Sequence, residues 1–246
     1  MRTTPGAWPR LHSDKLDPKG KITVLPGGGR VYTDPSVPCT TDTLLPASMI
    51  SVPPGSTVVD LGCGGGSGII SAHTHNPHCR WVGIDIRPKA LELLAASVVL
   101  NDPPPNVSPV CCGVEAVPLA FHPRCARAVT ANPPYGKRGS GRESPDIQRK
   151  TARSGKDLLL HSFIRAASHL LVPGGSFLMV VPPRRLTDAL LGCRAFGLSP
   201  VTVQPVGAAG RPAELTVIVS KKGSASELEI LPQMEPRKLL STRGRG

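Results

Sequence analysis

Val58–Gly68 reads VVDLGCGGGSG, and the fold turns on this stretch. With Ser56 and Thr57 before it, the first half is an apolar, β-branched run of strand composition. The second half is a turn in which Gly62, Gly64 and Gly66 recur at alternate positions behind Asp60, a D-x-G-x-G-x-G frame. Glycine is required where a backbone bends sharply and has to approach a ligand with no side chain in between. A purely structural glycine turn would carry the same letters, so the context has to decide. After the turn, Gly68–His75 (GIISAHTH) has the pattern of a short helix, and Arg80–Asp85 (RWVGID) is a second strand. That strand ends in Asp85, 19 positions beyond Gly66, where an acid can accept hydrogen bonds from ribose hydroxyls.

Strand and helix signals continue to alternate outward from this unit. Pro88 opens a helix through Leu100 with Leu91, Leu94, Ala95 and Val98 on one face. Val107–Cys112 and Ala126–Ala131 read as strands, the first weakened by Pro109. Lys156–Leu171 carries Leu159, Leu160, Phe163, Ile164, Ala167, Leu170 and Leu171 at helical spacing, closed by Pro173-Gly174-Gly175. Ser176–Val181 is a strand, Arg184–Gly197 a helix, and Val201–Val206 and Glu214–Ser220 are two strands in direct succession. This alternation predicts an α/β, Rossmann-like, doubly wound, seven-stranded and mostly parallel sheet. Its last strand, with no helix before it, should return antiparallel. Residues 1–38, with short alternating runs around Pro26-Gly27-Gly28-Gly29, read as an N-terminal β-hairpin appendage. The main domain is expected over 39–222, and 223–246 as a basic C-terminal tail.

The totals constrain the partners. A net charge of +12 and a pI near 9.8 favour an anionic partner, nucleic acid being the commonest, against the alternative of general basicity. Seven cysteines, Cys39, Cys63, Cys79, Cys111, Cys112, Cys125 and Cys193, include no Cys-x-x-Cys pair. They suit reduced thiols in a cytoplasm rather than a disulfide frame. No apolar run of about 18 residues offers a membrane span, and the N-terminus has no apolar signal core. A cytoplasmic protein without a membrane partner is expected, with a monomer as the working state. His73, His75, His78 and Cys79 suggest zinc by composition, but they fall in a turn away from the glycine loop and read as a solvated surface.

The loop also bears on the cofactor. A dinucleotide fold brings backbone donors to a pyrophosphate and has no use for an acid in the loop, whereas Asp60 leads this one. A carboxylate there repels phosphate and suits the ammonium end of S-adenosylmethionine, which is preferred over NAD. The fourth core strand then runs into Asn132-Pro133-Pro134-Tyr135, at the carboxyl edge of the sheet where ligands lie in open α/β folds. Two prolines end the strand rigidly. Asn132 and the Pro133 carbonyl can each accept a hydrogen from a planar amine, and Tyr135 offers a stacking plane. Drawing both hydrogens aside aims the nitrogen lone pair at a methyl-sulfonium carbon. Sulfur leaves as a neutral thioether, so the chemistry requires no metal and no covalent intermediate.

The glycine loop, Asp85 and the NPPY motif together resemble the class I S-adenosylmethionine-dependent methyltransferases that modify planar amino groups. More narrowly, TTDTLLPA (40–47), NPPYGKRG (132–139), TARSGKDLL (151–159), LLVPGGSFLMVVPPRRL (170–186) and SKKGSASELEILP (220–232) resemble, in order, the bacterial family that methylates the 6-amino group of an anticodon-loop adenine in a valine tRNA. The likeness runs from about residue 20 to 235. It implies a cofactor site of Asp60, Gly62, Gly64, Gly66, Asp85, Ile86, Val114 and Asn132, catalysis at Asn132, Pro133 and Tyr135, and tRNA as partner. The chain departs from the pattern at Val114, where such enzymes carry an acid after the third strand and this chain has Glu115 one step on. It departs again at Ser154-Gly155, where the family tends to an acidic residue.

Residues 137–157 hold seven basic side chains against Glu143, Asp146 and Asp157. This stretch reads as a loop beside the acceptor motif, either a lid on phosphates, with Tyr135, Lys137, Arg138 and Arg153 touching substrate, or a solvated loop. Two rival functions stand beside adenine methylation. The motif serves a protein glutamine amide equally well, although such enzymes usually carry a larger helical N-terminal domain; the other is a non-catalytic RNA-binding protein that kept the fold.

Overall fold

The computed structural model describes residues 20–134 and 145–241, with 145–157 and 239–241 as backbone only. A hairpin of β1 (Lys21–Val24) and β2 (Arg30–Thr33) comes first, followed by α1 (Thr41–Ser48). Then come β3 (Thr57–Leu61), α2 (Ser67–His73), β4 (Arg80–Asp85), α3 (Pro88–Val99) and β5 (Val107–Cys111). A 3₁₀ turn over Val114–Ala116 leads into α4 (Val117–Ala120) and β6 (Ala126–Ala131). The second half holds α5 (Pro145–Leu170), β7 (Leu171–Val181), α6 (Leu186–Ala195), β8 (Leu198–Val206), β9 (Leu215–Lys222), β10 (Glu229–Ile230) and α7 (Pro236–Ser241).

The main sheet has the order β10-β8-β9-β7-β6-β3-β4-β5. All neighbours are parallel except β9, which runs antiparallel to both β7 and β8. The doubly wound, mostly parallel design expected from the sequence is present, with one strand more than the expected seven. The extra strand comes from the stretch read as a tail, where Glu229 and Ile230 pair with Thr202 and Val203. Two residues are too few to show a period in sequence. β5 ends the order, which accounts for Pro109 inside it: an edge strand has a side on which no amide is needed.

Helices cover both faces. On one, Leu160, Phe163, Ile164, Ala167 and Leu170 of α5 pack with Ala189 and Cys193 of α6 against Val59, Val129, Phe177 and Met179. On the other, Ile69 and Ala72 of α2 and Leu91 and Leu94 of α3 meet Val58, Trp81, Ala128 and Leu178. The outer side of α3 is also buried, because the hairpin lies on it. Ala90 and Leu93 pack with Val37 and Tyr32, and the Tyr32 amide donates to Ser97 Oγ at 2.9 Å. The hairpin is thus docked rather than loosely attached.

Two further readings change. Residues 145–155, expected as part of a loop before the helix read from Lys156, belong to α5 as well. Pro145 stands at its first position, where the amide has no partner within the helix and the fixed φ of proline suits the first turn. Pro173-Gly174-Gly175 does not separate helix from strand but makes a bulge within β7, the pairing with β6 shifting between Ala126–Leu171 and Ala128–Ser176. A β-carbon on Gly175 would meet the Val172 carbonyl at 2.9 Å and the Arg127 carbonyl at 3.0 Å.

Candidate active site

The chain runs β3, β4, β5 outward on one side of β3 and then returns to lay β6 on its other side. That switch leaves a crevice between β3 and β6 at their carboxyl ends. The parallel register sets Asp60 beside Thr130 and Leu61 beside Ala131, so the next residues, Gly62 and Asn132, face each other across it.

A cavity of about 430 Å3 opens there, lined by Gly62, Asp85, Ile86, Val114, Glu115, Asn132 and Pro134 among others. Its size falls within the roughly 300–1,000 Å3 usual for small-molecule sites. Leu159 and Phe163 from α5 close one wall. A smaller pocket behind the glycine turn joins Asp60, Gly62, Thr130 and Asn132 to Thr43 and Pro46 of α1. Gly62 and Asn132 belong to both, so the two spaces meet at that pair.

The loop's glycines have different duties. Gly62, at φ +72°, is the one that faces the cavity. The Gly64 amide donates to Asp85 Oδ2 at 2.9 Å. Gly66, at φ +81°, begins α2 and lets Leu94 approach so closely that a β-carbon would stand 2.2 Å from Leu94 Cδ1. Neither Gly64 nor Gly66 lines the cavity.

Two carboxylates lie in this region under different conditions. Asp60 accepts a hydrogen bond from Thr130 Oγ1 at 2.7 Å. Even so, burial, with the charge of Asp85 adding to it, pushes its carboxyl up to about 7. Asp85 is buried but amply satisfied. Its oxygens accept from the Gly64 amide, the Arg87 amide at 2.9 Å, Arg87 Nε at 3.1 Å and Arg87 Nη2 at 3.2 Å. Arg87 Nη1 also donates to the Ser36 carbonyl at 3.2 Å, tying the segment after β2 to the rim.

Of the expected site residues, Gly62, Asp85, Ile86, Val114 and Asn132 line the larger cavity and Asp60 the smaller. Pro133 is buried directly after Asn132. Tyr135, Lys137 and Arg138 lie outside the described residues, and Arg153 is placed by its backbone alone, within α5. Val114 and Glu115 both reach the cavity wall. The histidine-rich turn is only partly solvated: His75 and His78 are exposed, whereas His73 and Cys79 are buried. Among the described residues no three His, Cys, Asp or Glu side chains are grouped to hold a metal ion, and no helix is long and apolar enough to cross a membrane. Sequence reasoning missed Arg87, Thr130 and Phe163. Only Thr130 had a usable signal, since pairing the two strands sets it beside Asp60.

Residues 58–133 match the family described as a methyltransferase domain. Two Porphyromonas gingivalis proteins named tRNA1(Val) (adenine(37)-N6)-methyltransferase are 27% identical to the chain over 187 residues. The alignment takes in 74% of this chain and 63% of each relative, so the chain spans just under two thirds of their length. A predicted O-methyltransferase from Agrobacterium tumefaciens superposes with a TM-score of 0.65 over 82% of this chain and 96% of its own, at 18% identity. TrmN from Thermus thermophilus superposes with a TM-score of 0.53 over 69% of this chain and 44% of its own, at 21% identity. The matched residues 58–133 run from β3 to the end of β6 and so take in the crevice at the switch point, and the chain shares its Rossmann-like fold with these solved structures.

Proposed function

We propose that the protein transfers a methyl group from S-adenosylmethionine to the exocyclic amine of an adenine in RNA, in the anticodon loop of a tRNA. The observation that carries this reading is the β3–β6 register, which brings Asn132 to the glycine turn and into one cavity with Asp85 and Ile86.

The residues present fit the cofactor. Asp60 is poorly solvated beside the turn, and the ammonium of the methionine end would give it a cation and draw its carboxyl into the ionised form. Asp85 and Ile86 stand where a ribose and an adenine ring would lie, and Glu115 is at hand beside Val114 for the adenosyl amine. Asn132 Oδ1 and the Pro133 carbonyl accept the two hydrogens of the target amine. Bound there, S-adenosylmethionine would supply an electrophilic methyl group on sulfonium, which the aimed lone pair could take while the C–S bonding pair stays with sulfur and the amine loses a proton to solvent. The adenine has to be out of its stack for this, which an exposed loop makes inexpensive. The names of the Porphyromonas gingivalis relatives support adenine in tRNA as the acceptor.

The test is to incubate the protein with methyl-labelled S-adenosylmethionine and either total tRNA or a protein release factor, then to digest and identify the labelled product. N6-methyladenosine is the expected product. Methylglutamine would replace this reading with amide methylation, and RNA binding with no label transferred to either would replace it with a binding role.

A further inference from the structure

The stretch that looks like a tail is stapled across the acceptor half of the sheet. The Leu231 amide donates to the Val203 carbonyl at 2.9 Å, the Met234 amide to Pro205 at 3.0 Å, and the Gly207 amide back to Met234 at 3.0 Å. Gln204 Nε2 holds the Pro232 carbonyl at 2.8 Å. Gln233 Nε2 spans the β8–β9 turn, donating to the carbonyls of Ala208 at 2.8 Å and Arg211 at 2.9 Å. The Met234 side chain packs with Leu45 of α1 and Val206, and α7 then lies against α1. α1 in turn supplies Thr43 and Pro46 to the pocket that contains Asp60 and Asn132.

The strap brings positive charge to one edge. Asn132 follows the carboxyl end of β6; along that edge Arg184 follows β7 and Arg211 sits in the β8–β9 turn, while Arg237 is in α7, which folds back onto α1. All three are exposed. The acids within four positions of them in the chain are Asp188, Glu214 and Glu235, of which Asp188 is engaged by Arg185 at 3.5 Å. At about 4.8 Å per strand, the β8–β9 turn that carries Arg211 lies two to three strands, roughly 10–14 Å, from the end of β6. That is too far to touch the reacting base but suits the backbone of its neighbours. Backbone phosphates are what guanidinium groups bind when they position a nucleic acid without reading its sequence.

We propose that the strap of residues 231–238, with the turns at 183–185 and 207–211, is the docking face for the RNA on the far side of the target nucleotide, with Arg184, Arg211 and Arg237 on its phosphates. This rests on the RNA reading given above.

The test uses the full chain carrying Arg211→Glu with Arg237→Glu, beside a control of equal charge change on the opposite edge of the sheet, Arg124→Glu with Arg127→Glu. The strap pair should weaken tRNA binding at least tenfold at fixed salt. It should also flatten the plot of log affinity against log salt by about 0.7 for each phosphate that is no longer neutralised, with S-adenosylmethionine affinity and turnover at saturating tRNA unchanged. The control pair should leave the salt slope as in the wild type. An unaltered slope in the strap pair, or an equal change in both pairs, overturns the docking face. A wild-type protein that transfers no label to any RNA overturns the reading beneath it. Should charge reversal reduce cofactor binding, Arg211→Gln with Arg237→Gln decides, with half or more of the slope change expected.

Discussion

Asn132 and Asp60 sit within one small region and answer to different physics. Asn132 is a geometric element, and its contribution appears only when an amine has to be aimed. Asn132→Ala should lower kcat by about 10²–10³, the usual loss when one aligned polar partner of a transition state is removed, with S-adenosylmethionine affinity changed less than twofold by calorimetry. Asp60 is an electrostatic element. Because its carboxyl titrates near 7 in the folded protein and near 3.8 as a free side chain, the native state holds the extra proton between those values. Stability of the free protein should therefore fall as pH rises from 4 to 7. Cofactor affinity should rise over the upper part of that range, as the carboxylate becomes available to a cation. Asp60→Asn should flatten both profiles and bind the cofactor more weakly at pH 8; a wild-type affinity independent of pH from 6 to 8 would contradict the assignment.

The glycine turn shows what an element asks of its residues. Gly28 and Gly66 both have positive φ, at +91° and +81°, but nothing lies within 4 Å of a β-carbon built on Gly28, whereas Leu94 blocks Gly66. Gly66→Ala should destabilise by about 2 kcal/mol more than Gly28→Ala, conformational strain being common to both and overpacking peculiar to the first. Denaturant midpoints would measure the difference. Elements like this one were legible in the sequence because their demands are local: positive φ in the turn, a period of 3.6 along Leu160–Leu170, a rigid stop at Pro133-Pro134. What was hidden depends on partners distant in the chain. β10 exists only because β8 leaves an edge open. Phe163 is marked by its spacing as core and gives no sign that its ring also walls the cavity. Lys222 looks like part of a basic run, yet its Nζ donates to the carbonyls of Ser168 and Leu171 at 2.5 and 3.0 Å, closing the end of α5. The first half of α5 was concealed by its charge, which hid the helix behind the appearance of a loop.

For the molecule as a whole, the C-terminal segment is structural as well as charged. Truncation after Gly223 should remove Met234 from its place over Leu45 and Val206, expose those two side chains, and lower the melting temperature by roughly 5 °C, as expected for the loss of one or two kcal/mol in a chain of this size. It should also weaken cofactor binding through the loosened α1, which a thermal-shift titration would report. The placement of β9 has a consequence for how the protein is made. This strand fills the gap between β7 and β8 and pairs with both, so β8 leaves the ribosome with no neighbour to bond. The β3–β7 half, complete at Val181, can assemble on a nascent chain before β9, which ends at Lys222, lets the half that carries Arg211 close. Biosynthesis would then deliver the nucleotide pocket first and the surface beyond Asn132 last.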